Sequence, residues 1–298
     1  MTTVADTQPG PARSDPRRAP SIDFTLPAGE PAPVAPDSVS WRVFKNPVAR
    51  FVGGVTAVLL ELAEPRVRSG VWDHTSVCTD PLARMRRTGL AAMVAVYGPH
   101  SVAETMIAGV GRMHGKVAGL TPSGQIYRAS DPELLDWVLA TASFGFMEAY
   151  HAFVRPLSRA ERDRFYAEAA PAAALYGVTG APTSQRALDD QFQAMRPKLE
   201  RSAIVFEFLR IMRRTPGLPA PLRPLQGHLI RAAIEILPTW WRDILRLDPA
   251  WGKKRWEAGL VRFLGRVADR IVVRSAPPAQ VCLRMGLPAN YLYASARA

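Results

Sequence analysis

The stretch from Thr79 to Gly119 constrains the fold most, because it reads as two amphipathic helices joined by a tight turn. Asp80 followed by Pro81 is a helix start: the carboxylate accepts from otherwise unpaired amides, and proline is tolerated in the first turn, where its missing N–H costs nothing. Gly98-Pro99 ends that helix. At 3.6 residues per turn, Arg84, Thr88, Ala91 and Ala95 share one face with Arg87 at its edge. Leu82, Met85, Met93 and Val96 turn toward the other side. The second helix is expected to open at Ser101, with Glu104 three residues on completing a capping box, and to run to Gly119. His114 then lies on the face that carries Ala103, Ile107, Val110, Val117 and Ala118, opposite Thr105, Arg112 and Lys116, so its imidazole points inward.

An inward, neutral histidine needs a partner for at least one ring nitrogen. A backbone carbonyl or hydroxyl would serve, and so would a metal. No second histidine at four-residue spacing and no cysteine pair accompanies His114, so a zinc site is not indicated. A porphyrin brings four nitrogens of its own and needs only one such axial ligand. The face of Arg84, Thr88 and alanines is equally compatible with plain solvation and with a flat ligand bearing polar groups at one end.

The rest of the chain punctuates itself into helices. Residues 1–40 hold eight prolines among Ser, Thr and Asp and are expected to form a disordered or extended tail ahead of a single domain over 41–298. Val48 to Leu62 carries Phe51, Val55, Val58, Leu59 and Leu62 at helical spacing, and the Gly53-Gly54 pair permits close packing against a neighbour or ligand. Glu61 falls toward its less apolar side and is expected to be exposed. Pro65 is expected to stop this helix, leaving 66–79 as a connection that carries Trp72, His74 and Cys78. A loop rich in turn residues, 121–130, leads through a Ser130/Glu133 capping box to a helix ending near Val154 that is apolar on most of its circumference and therefore central. His151 on that helix is the rival to His114 as a metal ligand. Ser158 and Glu161 cap a helix to about Leu175, and further helices are expected over 184–195, 202–214, 225–237, 239–247 and 250–273. Trp240, Trp241, Trp251 and Trp256 are expected to be packing residues. No strand-like alternation of useful length appears, so the class is all-α.

Composition limits the partners. The formal charge is +12, although the first forty residues hold three Arg and five acids, so the excess belongs to the remainder. A basic balance favours an anionic partner such as a membrane surface or nucleic acid. The arginines are scattered without a basic run, and no nucleic-acid partner is expected. The two cysteines build no disulfide framework, no secretory leader is visible, and no run reaches the ~18 apolar residues a transmembrane helix needs, so a cytoplasmic protein with at most peripheral membrane contact is expected.

Five segments occur in a telling order: GVWDHTSVCTDPLARMRRT at 70–88, RMHGKVAG at 112–119, YRASDPELLDWVLAT at 127–141, LSRAERDRFYAEAAPAAALYGV at 157–178 and APTS at 181–184. With them the run from Asn46 to about Ser184 resembles the family of rubber oxygenases (latex clearing protein) and the mycophenolic-acid-pathway side-chain oxygenase. The resemblance implies a globin-like helical core that binds haem b through its iron, with His114 in the place of the family's proximal ligand. It puts Arg84, Arg87 and Thr88 on the distal side, the first and last beside the cofactor and all three as candidate catalytic groups. It brings His74 toward the haem region. Arg87 stands where rubber oxygenases have lysine; an arginine stays protonated and ligates iron poorly, so the sixth position would be open or water-filled. Leu139 stands where many relatives have histidine.

Two functions follow. The resemblance implies a haem-dependent oxygenase acting with dioxygen on an apolar, isoprenoid-like small molecule, with hydroxylation or peroxidase-like chemistry also compatible. The alternative is a non-enzymatic helical module that binds an apolar ligand or a protein partner, with His114 a satisfied core histidine. No nucleophile elbow, phosphate-binding glycine loop or zinc signature points to a hydrolase, nucleotide enzyme or metalloprotease.

Overall fold

Four helices of this chain begin at a capping side chain followed directly by proline. In a computed structural model, which describes residues 22–246, 251–252 and 255–294, these are α2 (Pro47–Glu61, capped by Asn46), α3 (Pro65–His74, capped by Glu64), α4 (Pro81–Tyr97, capped by Asp80) and α6 (Pro132–Phe153, capped by Asp131). The remaining helices are α1 (Val39–Phe44), α5 (His100–His114), α7 (Arg159–Glu168), α8 (Ala170–Leu175), α9 (Gln185–Met195), α10 (Ala203–Arg214), α11 (Gln226–Glu235), α12 (Thr239–Leu245), α13 (Arg255–Ala268), α14 (Pro277–Arg284) and α15 (Tyr291–Ala294). The class is all-α, with one antiparallel two-stranded hairpin, β1 (Ala118–Leu120) and β2 (Ile126–Arg128), among the described residues.

The two most apolar helices, α2 and α6, form the most extensive pair and the centre of the molecule. Glycine makes their approach possible. A Cβ on Gly53 would stand 2.7 Å from the Gly145 carbonyl oxygen, and a Cβ on Gly145 would collide with that of Gly53. Backbones touch here with nothing between them, which only a residue without a side chain allows. α11 and α13 cover other sides of α2, and one continuous hydrophobic core runs from Phe24 to Tyr293.

Several expectations change. Pro65 does not end a helix but starts one. Its predecessor Glu64 turns its carboxylate onto the Val67 amide at 2.8 Å, so 65–74 is helix rather than connection. The same buried carboxylate takes Arg66 at 2.6 Å, and Arg66 reaches Glu133 at 2.6 Å, tying α3 to the start of α6. Asp131, not Ser130, caps α6. α5 has no capping box: Ser101 receives Glu30 from outside the helix, 2.6 Å from its amide, while Glu104 faces His100. α5 stops at His114, and the next residues turn into β1, because Gly115 and Gly119 weaken a helix while Tyr127, which Gly119 faces, anchors the hairpin. The Ser158/Glu161 capping box is present as expected. Helix 159–175 is divided into α7 and α8 at Ala169.

The proline-rich segment expected to be a tail is folded against the body from residue 22; residues 1–21 lie outside the described residues. Phe24 and Val34 are buried. Arg284, itself buried, donates to the carbonyls of Phe24, Glu30, Tyr97 and Gly98 at 2.9–3.1 Å, stitching the N-terminal segment to the end of α4. Trp241 is buried and Trp240 and Trp251 are half-buried as packing residues, but Trp256 is exposed. No helix among the described residues is long and apolar enough to cross a membrane.

Candidate functional site

After its first turn, where Pro47 is exposed and Val48 and Arg50 are half-buried, α2 is buried except for a half-buried stripe of Phe51, Gly54, Val58 and Glu61 at helical spacing. α4 lies alongside α2, and Arg50 of α2 donates to the Met93 sulfur of α4 at 2.9 Å. The chain at Gly217 lies against both, where an added Cβ would meet Met85 of α4 at 2.9 Å and Phe51 of α2 at 3.3 Å. Arg84, next to Met85 on the same turn of α4, acts through its charge on Glu61 of α2 and on His114 of α5. Further along α4, Ala91, Ala92 and Ala95 are small and half-buried.

Glu61, Arg84 and His114 thus come from three helices to one partly buried place. None of the three side chains makes a hydrogen bond among the described residues. All three are half-buried, so their polar atoms are open to water or to a ligand. Each group is perturbed. Burial pushes the Glu61 carboxyl up to about 7, with the Arg84 charge opposing the shift. Burial lowers Arg84, which Glu61 counters; a guanidinium nonetheless remains cationic. Burial, aided by Arg84, moves His114 below its ordinary value. His114 sits in the last turn of α5, where the carbonyl end of the helix favours a cation. Desolvation and the arginine oppose it, and the imidazole stays neutral near pH 7 with a lone pair to offer.

The expected site residues divide. Arg84 and His114 come together. Thr88 is exposed and its hydroxyl donates to the Arg84 carbonyl at 3.0 Å. Arg87 is exposed and donates to Ser76 at 2.7 Å, holding the chain that enters α4. His151 accepts from the Leu157 amide at 2.9 Å through Nδ1, closing the end of α6. His74 ends α3 with Nε2 3.0 Å from the Tyr127 hydroxyl, which fixes the hairpin. Leu139 is half-buried on α6. Glu61, expected to be exposed, is half-buried instead. Glu61 is the only acid of α2, and a carboxylate is costly to bury without a partner.

Among the described residues, no three His, Cys, Asp or Glu side chains gather as a metal site. Cys78 and Cys282 are free thiols, and burial raises both above the ordinary thiol value, so neither is an activated thiolate. A surface depression between α7 and α9, lined by Arg159, Arg162, Gln185, Arg186 and Asp189, shares no residue with the cluster.

The site thus brings a neutral histidine, a fixed cation and a carboxyl of raised pKa together between helices of an all-α fold. The chain is a member of the family described as ER-bound oxygenase mpaB/B'/rubber oxygenase, catalytic domain, which it matches over residues 41–270. It therefore carries an oxygenase catalytic domain. No curated protein and no solved structure matches the chain.

Proposed function

We propose that the protein is a haem b-dependent oxygenase that acts with dioxygen on an apolar small molecule, an isoprenoid-like chain being the class implied by the family. The observation that carries this is the convergence of His114, Arg84 and Glu61 without hydrogen-bond partners. The donor set fits the group: a haem asks the protein for one neutral imidazole, and His114 would be the residue to hold it. When bound, haem supplies the redox-active iron for oxygen chemistry.

The chain's own residues divide the remaining work. Arg84 would supply a positive charge and N–H donors to negative charge developing in the site, where partial shielding from water strengthens such an interaction. Glu61, with a pKa near 7, can hold a proton or take one at its carboxylate close to working pH. Thr88 fixes the backbone of α4 at Arg84, and Arg87 positions the entry to that helix. Ala91, Ala92 and Ala95 with Phe51 and Val58 offer an apolar wall to the substrate.

Heavy-isotope dioxygen tests the reaction. Haem-loaded protein incubated with a polyisoprenoid and labelled dioxygen is expected to release carbonyl products carrying the label. Glu61→Gln should slow their formation by about 10²–10⁴-fold, the usual worth of a positioned acid–base group. Haem-loaded protein that neither consumes dioxygen nor labels any apolar substrate would refute the proposal.

A further inference from the structure

α13 buries one side and shows an apolar stripe on the other. Val261 is fully buried, and a Cβ on Gly265 would collide with the Phe153 carbonyl oxygen, so that side is against the protein. On the opposite side Trp256, Phe263 and Val267 are 57%, 64% and 38% exposed. Their spacing of seven and four residues aligns them along one face. Ile271 and Val273, just past the helix end, continue the exposed apolar surface at 53% and 48%. Isolated exposed hydrophobics need no explanation, but a contiguous stripe of this kind marks an interaction surface.

The charges beside the stripe are of one sign. Arg262, Arg266, Arg270 and Arg274 are exposed, and the last three make no side-chain hydrogen bond or ion pair among the described residues. The acids between Trp256 and Arg274 are Glu257 and Asp269, and both are buried. Glu257 is 2.9 Å from His228 and 3.0 Å from Arg231; Asp269 is 3.2 Å from both Lys45 and Asn46. The solvent side of 256–274 therefore offers apolar groups and cations with no carboxylate. Trp256 is held in place against the His228 ring, centroids 5.2 Å apart.

We propose that α13 and the turn after it dock flat on an anionic lipid bilayer, with Trp256, Phe263 and Val267 in the acyl boundary and the arginines at the headgroups. An amphipathic helix with aromatic residues on one face and only cations flanking it has the chemistry of the interface, where long arginine stems keep their charge at the phosphates while the apolar face is buried. A protein partner would need an acidic rim around a greasy groove; a bilayer of anionic lipid provides both properties over any area. The +12 charge of the chain adds long-range attraction. The docking does not depend on the oxygenase reading.

Co-sedimentation of the full chain with phosphatidylcholine vesicles, with and without phosphatidylglycerol, tests this. Binding is expected only to the phosphatidylglycerol vesicles. The charge-neutral pair Phe263→Ser/Val267→Ser should weaken it by about ten-fold or more, from the lost apolar burial alone. Both positions are exposed, so the circular dichroism and melting temperature should stay unchanged and certify the fold. Binding that survives the serine pair undiminished would show mere charge adsorption and overturn the proposal. So would a parent that binds no vesicle but forms a dimer or captures its own N-terminal segment through this face.

Discussion

At the scale of single residues, the site rests on what surrounds one carboxyl. Glu61 occupies an apolar helix and meets Arg84 without a hydrogen bond, and its pKa rises from 4.5 to about 7. The unfolded chain releases this proton from about 4.5 upward, whereas the folded protein keeps it until about 7. The folded state is the better proton binder in that window, so stability falls as pH rises through it and levels off above about 7. Glu61→Gln cannot titrate and should lose this slope. Melting temperatures of parent and variant, followed from pH 4.5 to 8, should diverge in the variant's favour as pH rises; a difference that stays flat would contradict the assignment. His114 and Arg84 were legible in the sequence because the family motifs carry them. The burial of Glu61 was not, since it is set by long-range packing around the end of α2 rather than by the local helical pattern.

At the scale of elements, glycine and proline decide most of the architecture. Gly53 and Gly145 let α2 and α6 touch at the backbone. Alanine ordinarily favours a helix over glycine by ~1 kcal/mol, but at Gly145 its Cβ would press on the Gly53 carbonyl. Overpacking of that kind costs about 1–3 kcal/mol and sometimes more. Because the contact is backbone against backbone, neither side can yield by rotamer change, and Gly145→Ala should lower the melting temperature. An unchanged or raised value would show that the helices can part. The Gly53-Gly54 pair was a visible packing signal in the sequence, but its partner was not: Gly145 lies far along the chain. Pro65 shows the limit of punctuation rules. Proline ends a helix or begins one, and what decides here is that Glu64 before it can reach the Val67 amide. The hairpin has no sequence signature, because strands of three residues carry too little alternation.

At the scale of the whole molecule, the all-α class followed from the recurring helical periodicity, whereas the limits of the folded body did not. The proline-rich composition before residue 40 resembles a solvated tail, yet Phe24 and Val34 enter the core and Arg284 binds this segment's carbonyls from the far end of the chain. Long-range pairing of that sort has no local signature. The same packing brings α2, α4 and α5 to one place and leaves His114, Arg84 and Glu61 facing each other. The most direct test of the account is the visible absorption spectrum of protein produced with ample haem precursor, beside His114→Ala and His151→Ala. A near-stoichiometric Soret band in the parent and in His151→Ala, lost or shifted in His114→Ala, is the predicted result. A parent with no Soret band, or a band unchanged by His114→Ala, would contradict it.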